Sequence, residues 1–166
     1  ISKLSEQQIA VLSTDQVRGI ANDDLVLLTA DQVAALTTAS IVALTTEQVS
    51  LLTTSQMQAL TADQISAIEP TDLAKLSTEQ LSQLRDDRFQ AITTAGIVAL
   101  TTEQVYNLSN DQVAALTTQQ ARALEPGDTA VMTTTQLSNF SLEAATSLRT
   151  SQRGALSSDQ INALPS

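Results

Sequence analysis

The stretch Leu-Thr-Thr-Glu-Gln-Val-Ser-Leu, residues 44–51, decides the fold because its pattern recurs every eight residues. From Leu4 to Leu164, every eighth residue is a large apolar side chain, with no insertion or deletion. We number the positions of this octad one to eight, starting from the apolar residue. Twenty octads run end to end, so we expect residues 4–164 to form a single repeat domain, with residues 1–3 and 165–166 as the ends of the tract.

Each octad contains the signals that start a helix. Position two is Ser or Thr in fifteen of the twenty octads, and position five is Gln in thirteen. This spacing is typical of a capping box, in which the hydroxyl accepts from an amide of the first turn and the Gln side chain reaches back to the N–H of the cap residue. Pro70 and Pro126 at position three, and acidic residues at position four in eleven octads, also suit a first helical turn.

A single continuous helix does not fit the eight-residue period. Eight residues at about 100° each place consecutive apolar residues about 80° apart, so these residues would spiral around the helix. A helix that restarts in every octad, after a bend at the Leu-Thr junction, keeps them equivalent. We therefore expect an all-α solenoid, a superhelix of very short helices with one helix per octad. A β-solenoid is the alternative because Thr and Val favour strands, and long helices with breaks are a third.

The octads must stabilise one another, because one or two helical turns do not persist alone in water. We expect positions one, six and eight to face a shared interior, where Ala at position eight allows close approach. Thr, Gln and the acidic residues are then expected to coat the outside.

A longer repeat is superimposed on the octad. Residues 36–43 return at residues 92–99, and Ile68-Glu69-Pro70 returns as Leu124-Glu125-Pro126. Both offsets are 56 residues, or seven octads. This offset fits either a duplicated segment or a whole number of superhelical turns, and the sequence leaves both open.

The pattern weakens between residues 120 and 155. We interpret this stretch as drift toward a weaker end of the solenoid, and a partner-binding or inter-subunit patch is the alternative. The departures at position six are Ala121, Thr129, Ala145 and Arg153, and Gly127 and Gly154 fall in the same stretch.

The composition gives no support for catalysis. The chain has no His and no Cys, which removes the imidazole base, the thiol nucleophile and soft metal ligands. Its Ser and Thr residues have no base partner, and neither a Gly-rich phosphate loop nor an EF-hand pattern occurs. We therefore expect no enzyme, with no catalytic, cofactor-binding or metal site and no cofactor.

Two acidic pairs and one charged octad have structural interpretations. Asp23-Asp24 and Asp86-Asp87 fall in predicted first helical turns, where the helix dipole favours negative charge. Arg85 and Arg88 flank the second pair, and we expect a surface ion-pair cluster in this octad.

The net charge of −10 and the pI near 4.1 argue against a nucleic-acid-binding protein, which needs a basic surface. No run of about 18 apolar residues is present, so we expect no membrane insertion. The chain begins at Ile1 without Met, which favours a processed form or an excised segment.

The Leu-Thr-Thr-Glu-Gln-Val units at residues 44–49 and 100–105 resemble octapeptide tracts of large, repetitive bacterial proteins. The resemblance covers residues 4–164 and implies an exported or surface-attached protein. The same string is similar to the opening of a TAL-effector repeat, Leu-Thr-Pro-Glu-Gln-Val. The period of eight, without a long second helix or a basic surface, argues against DNA recognition here.

Together these features favour a non-enzymatic structural repeat module, acting as a rod, a spacer or a self-associating fibre subunit of a bacterial extracellular or surface protein. Its expected partners are further copies of itself, through head-to-tail or lateral contact, or another protein. The alternative function is a scaffold that binds a peptide or protein in a superhelical groove. The residues that would line such a groove are expected in the atypical octads 84–91 and 124–155.

Overall fold

The computed structural model describes Ile1 and residues 3–166, and for Asp86 it describes the backbone alone. The described chain contains twenty short helices, one in each octad, and no strand. The all-α solenoid is confirmed, and the β-solenoid and long-helix alternatives are wrong. The helices are α1 Glu6–Ala10, α2 Thr14–Arg18, α3 Asn22–Leu25, α4 Ala30–Ala34, α5 Thr38–Ala43, α6 Thr46–Ser50, α7 Thr54–Ala59, α8 Ala62–Ala67, α9 Pro70–Leu73, α10 Thr78–Ser82, α11 Asp86–Gln90, α12 Thr94–Ala99, α13 Thr102–Tyr106, α14 Asn110–Ala115, α15 Thr118–Ala123, α16 Pro126–Val131, α17 Thr134–Ser138, α18 Leu142–Ser147, α19 Thr150–Gly154 and α20 Ser158–Ala163.

The chain bends at position two, where each helix begins. Thr45, for example, has extended backbone angles of φ −75° and ψ 157°, and its hydroxyl accepts from the N–H of Gln48. All fifteen Ser and Thr residues at position two make this cap. No described residue has a positive φ. The repeated bend therefore needs no glycine, which explains why four glycines suffice for twenty helices.

Three octads make one turn of the solenoid. The extensive helix contacts run from α1 with α4 to α17 with α20, and each of these pairs joins helices that are three places apart. Octads separated by 24 residues therefore stack directly, and the solenoid has three columns of stacked helices. Column one starts at residue 4, column two at residue 12 and column three at residue 20.

Positions one and six build one continuous core that runs along the solenoid. Val33, Leu36 and Leu60 are typical members, with almost no exposed surface. The expectation for position eight was only partly correct. Ala43 and Ala115 are buried there, but most residues at position eight are half-buried or exposed. Five of the half-buried alanines still pack against the core: Ala35, Ala67, Ala91, Ala123 and Ala163.

The expectation that Gln coats the outside is wrong. Most position-five glutamines are buried, in contrast to the exposed Thr and acidic residues at positions two to four. Capping of the local helix does not by itself require burial, so a second partner must hold the side chain between coils.

The 56-residue offset does not correspond to a whole number of turns. Seven octads at three octads per turn make two and one third turns, so equivalent segments lie in different columns. Residues 36–43 belong to column two, whereas residues 92–99 belong to column three. The superhelical-turn interpretation is therefore wrong, and a duplicated segment remains as the explanation.

The solenoid continues through residues 120–155 without a change of architecture. Ala121, Thr129 and Ala145 at position six are fully buried, and only Arg153 turns outward. The Thr129 hydroxyl donates to the Pro126 carbonyl at 2.9 Å, which satisfies its polar group inside the core. Helix formation alone therefore gives no sign of a weaker end.

Replacing Leu60 with Ala is expected to destabilise the protein by about 2–5 kcal/mol, because it removes buried methyl groups from a packed core. Leu60 has no exposed surface, whereas Leu27 is 61% exposed and provides the matched control. Urea unfolding should therefore separate Leu60→Ala from a nearly neutral Leu27→Ala. Equal effects of the two substitutions would contradict the assigned core.

Candidate functional site: glutamines between coils

The side chain of Gln56 joins two coils through both of its polar atoms. Its Oε1 accepts from the N–H of Thr53 at 2.8 Å, which completes the capping box of α7. Its Nε2 donates to the carbonyls of Leu25 and Leu28 in the preceding coil, at 2.8 and 2.9 Å. The side chain is 1% exposed. One amide group therefore starts a helix and connects it to the coil below.

Ten further glutamines repeat this arrangement. In each one, Nε2 donates to the carbonyl of the position-one residue found 28 residues earlier, at 2.6–3.0 Å. We call the set of eleven the cross-coil glutamines: Gln32, Gln48, Gln56, Gln64, Gln80, Gln104, Gln112, Gln120, Gln136, Gln152 and Gln160.

Several cross-coil glutamines reach more than one carbonyl. Gln64 donates to Leu36 at 2.7 Å, to Val33 at 3.0 Å and to Ala34 at 3.2 Å. The carbonyls of Val33 and Ala34 lie at the end of α4, where a helix runs out of its own N–H donors. The Val33 carbonyl also accepts from the N–H of Leu36 at 3.1 Å. The glutamine amide therefore satisfies helix-end carbonyls that the fold removes from water.

The first coil shows the capping role in isolation. Gln8 and Gln16 accept from the N–H groups of Ser5 and Ser13, as the other capping boxes do. Both glutamines are exposed, and in the described chain neither bonds to a carbonyl of another coil. The cap at position five therefore forms without burial in the first coil, which has no preceding coil to contact.

Some octads fill position five with other residues. Gly96 is one, and there the Leu73 side chain of the preceding coil comes so close that a Cβ would lie 2.6 Å from Leu73 Cδ1. Asp72 and Asp128 are buried at this position, although a carboxylate has no hydrogen to donate.

The charged octad around Arg85 does not form the expected ion-pair cluster among its described side chains. No ion pair joins Arg85 or Arg88 to Asp87, and Arg88 Nε is buried without a hydrogen-bond partner. The part of the expectation that involves the Asp86 side chain lies outside the described residues. Asp23 and Asp24 do lie in the first turn of α3, as expected.

The atypical octads do not lie together on one column of the described solenoid. Octad 84–91 belongs to column two, and octads 124–155 are spread over all three columns. An open depression lined by Thr102, Glu103, Tyr106 and Val131 lies on column one. Within the described chain, no group of three or more acidic, His or Cys side chains is placed to hold a metal ion. None of the described helices has the length and apolar character needed to cross a membrane.

Sequence reasoning missed the cross-coil bond, although the sequence carries a signal for it. A capping box accepts Glu as readily as Gln, and Glu occurs four times at position four of these octads. Position five contains thirteen Gln and no Glu. Glu would supply the capping oxygen but not the N–H. The use of Gln and never Glu at this position therefore indicates that the side-chain N–H is needed.

Replacing Gln56 with Glu should preserve the cap of α7 but leave the Leu25 and Leu28 carbonyls facing an anion. We expect a loss of at least about 1–3 kcal/mol at neutral pH, the range for leaving buried polar groups unpaired. Gln16→Glu is the matched control, since Gln16 makes the cap alone, and it should change stability by less than about 0.5 kcal/mol. Chemical unfolding of both variants checks this, and equal losses would count against the cross-coil role.

The sequence matches a known repeat family. The family profile described as the ALTTAQ repeat matches residues 17–54, 27–62, 65–102 and 89–118. These four matches together cover more than half of the chain. A search of curated protein sequences finds no match. The string Ala-Leu-Thr-Thr-x-Gln occurs in this chain at residues 43–48, 99–104 and 115–120, and each occurrence ends on a cross-coil glutamine.

Proposed function

The chain belongs to the ALTTAQ repeat family, and we propose that it is a non-enzymatic structural module, a stiff rod or spacer that holds other parts of a protein apart. The observation that carries this proposal is the line of cross-coil hydrogen bonds, which recurs at a fixed register of 28 residues from Gln32 to Gln160. Each coil is bonded to the next by the same contact.

The bonding pattern supports stiffness along the solenoid axis. The cross-coil amides lie beside a continuous apolar core, so bending or stretching the rod would separate buried donors from buried carbonyls. Leaving such groups unpaired is unfavourable by about 1–3 kcal/mol for each group. A rod built in this way resists bending at every coil.

The outer surface supports a spacing role more than a catalytic one. Positions two to four carry mostly Thr, Ser and acidic residues that are exposed and occupied in helix caps or directed to solvent. The net charge of −10 keeps neighbouring rods apart by repulsion. We place the protein outside the bacterial cell or on its surface, by the resemblance of its octads to exported repeat tracts.

Self-association is the second candidate function, and the two end coils favour it. Gln8 and Gln16 are exposed on the first coil, and Ile161 at position six of the last coil is 38% exposed, whereas inner position-six aliphatic residues are covered. Such surfaces fit another coil of the same repeat, whether it comes from a second copy or from a continuation of the chain.

Small-angle X-ray scattering tests the rod. Twenty helices at three per turn and about 8–10 Å between stacked helices give a rod of roughly 55–65 Å. Deleting residues 52–75, three whole octads, should preserve cooperative unfolding and shorten the particle by about 8–10 Å. Deleting residues 52–71 breaks the octad register and is expected to destabilise the fold strongly.

The outcomes separate the candidates. A monomeric rod that shortens by one coil supports the spacer. Particles whose length increases in whole multiples with concentration favour the head-to-tail fibre. A compact, flexible or unshortened particle would contradict the rod, and a peptide or protein bound in the depression at Tyr106 would favour the scaffold.

A further inference from the structure

Two buried joints between coils have an acidic side chain at position five in place of the glutamine amide. Asp72 and Asp128 occupy this position and are 4% and 3% exposed. In the 28-residue register, the carbonyls opposite these two positions are those of Leu44 and Leu100, the counterparts of Leu28 beneath Gln56. No described side chain donates to either carbonyl. Each joint therefore brings acceptors together without a donor when the carboxyl group is ionised.

The two carboxyl groups differ in how their oxygens are used. Asp128 Oδ2 accepts from the N–H of Glu125 at 3.0 Å and so takes the place of a glutamine Oε1. Asp72 Oδ1 is buried and has no hydrogen-bond partner among the described residues. An unpartnered buried oxygen is unfavourable unless something supplies a hydrogen to it.

We propose that the Asp128 joint is closed by a proton: the neutral carboxyl O–H donates to the preceding coil as a cross-coil glutamine does, and the ionised carboxylate loosens the joint. The solenoid thus contains an acid-stabilised contact among pH-independent amide contacts. Mildly acidic conditions tighten the rod at this coil.

The electrostatics of Asp128 support this assignment. Burial raises the pKa of Asp128, the N–H bond from Glu125 lowers it, and the charge of Glu125 raises it further. The helices that pack on α16 are α13 and α19. Their titratable or charged groups are Glu103 and Tyr106, which are exposed, and Arg149 and Arg153, whose guanidinium groups donate to the carbonyls of Leu124 and Ala145.

The Asp72 joint has its own set of charged neighbours. Helix α9 packs on α6 and α12, and α12 carries no charged residue. Glu47 on α6 is exposed, Glu69 and Lys75 flank α9, and Arg18 donates to the Ala43 carbonyl at 3.4 Å. A shift in overall charge with pH would act on all these groups, so the experiment needs a control of equal charge.

The direction of the pH effect follows from the raised pKa of Asp128. A carboxyl group that binds its proton more tightly in the folded state contributes stability that is fully present below the unfolded pKa of 3.8. That contribution is lost as the pH rises from this value through the higher folded pKa. The protonated carboxyl group therefore stabilises the fold only in the acidic pH range, and the ionised joint is weakest at neutral pH.

Asp128→Asn tests the proposal, because Asn supplies a permanent N–H donor of similar size. Asp111→Asn is the matched control, since Asp111 is exposed and its replacement removes the same charge. Urea midpoints are measured between pH 4 and pH 7.5 at constant ionic strength. We expect the midpoint of Asp128→Asn to exceed that of the wild type at pH 7 and to match it near pH 4, and the midpoint of Asp111→Asn to run parallel to that of the wild type.

Carboxyl ¹³C NMR of the unaltered protein gives a second readout that does not depend on how the variants fold. The Asp128 carbonyl resonance should titrate above the exposed Asp111 resonance. If the urea midpoint of Asp128→Asn runs parallel to that of Asp111→Asn across the pH range, the proposal is overturned. An Asp128 resonance that titrates together with the Asp111 resonance would also overturn it. A third outcome is a wild-type stability that responds to added Na⁺ or Ca²⁺ at fixed pH and has the same pH dependence as Asp111→Asn. This outcome would overturn the proposal in favour of a bound cation.

Discussion

The fold depends on providing hydrogen-bond partners for helix ends. A helix leaves about four N–H groups and four carbonyls without intrahelical partners, and helices of four to six residues consist almost entirely of such ends. Stacking twenty of them into a solenoid removes many of these groups from water. The cross-coil glutamine answers both needs with one side chain, since its oxygen serves an N-terminus and its nitrogen serves the C-terminal carbonyls of the coil below.

The cross-coil contact fits the other features of the solenoid. The reach of the glutamine side chain matches the distance between its own backbone and the carbonyl 28 residues earlier, in a solenoid with three octads in each turn. With that register set, positions one and six of all three columns meet in a single apolar core. Hydroxyl caps at position two make the bend without positive φ angles.

Much of this architecture could be predicted from the sequence, and the missing part has a physical reason. The eight-residue period and the spacing of Thr45 and Gln48 predict a short capped helix in every octad, because capping is a local interaction. The contact of Gln48 with Ile20 is not local, since it depends on the number of octads in a turn. That number follows from the bend angles and the packing, and the sequence does not state it. Burial of Gln was missed for the same reason, although the absence of Glu at position five was a usable signal.

The most direct test of this account is hydrogen exchange of the glutamine side-chain amides, followed by NMR on the ¹⁵N-labelled chain. The buried Nε2 protons of Gln56, Gln64 and Gln104 should exchange far more slowly than those of Gln16, which caps a helix without reaching another coil. Exchange of all these amides at the rate of free glutamine would contradict the claim that they join the coils.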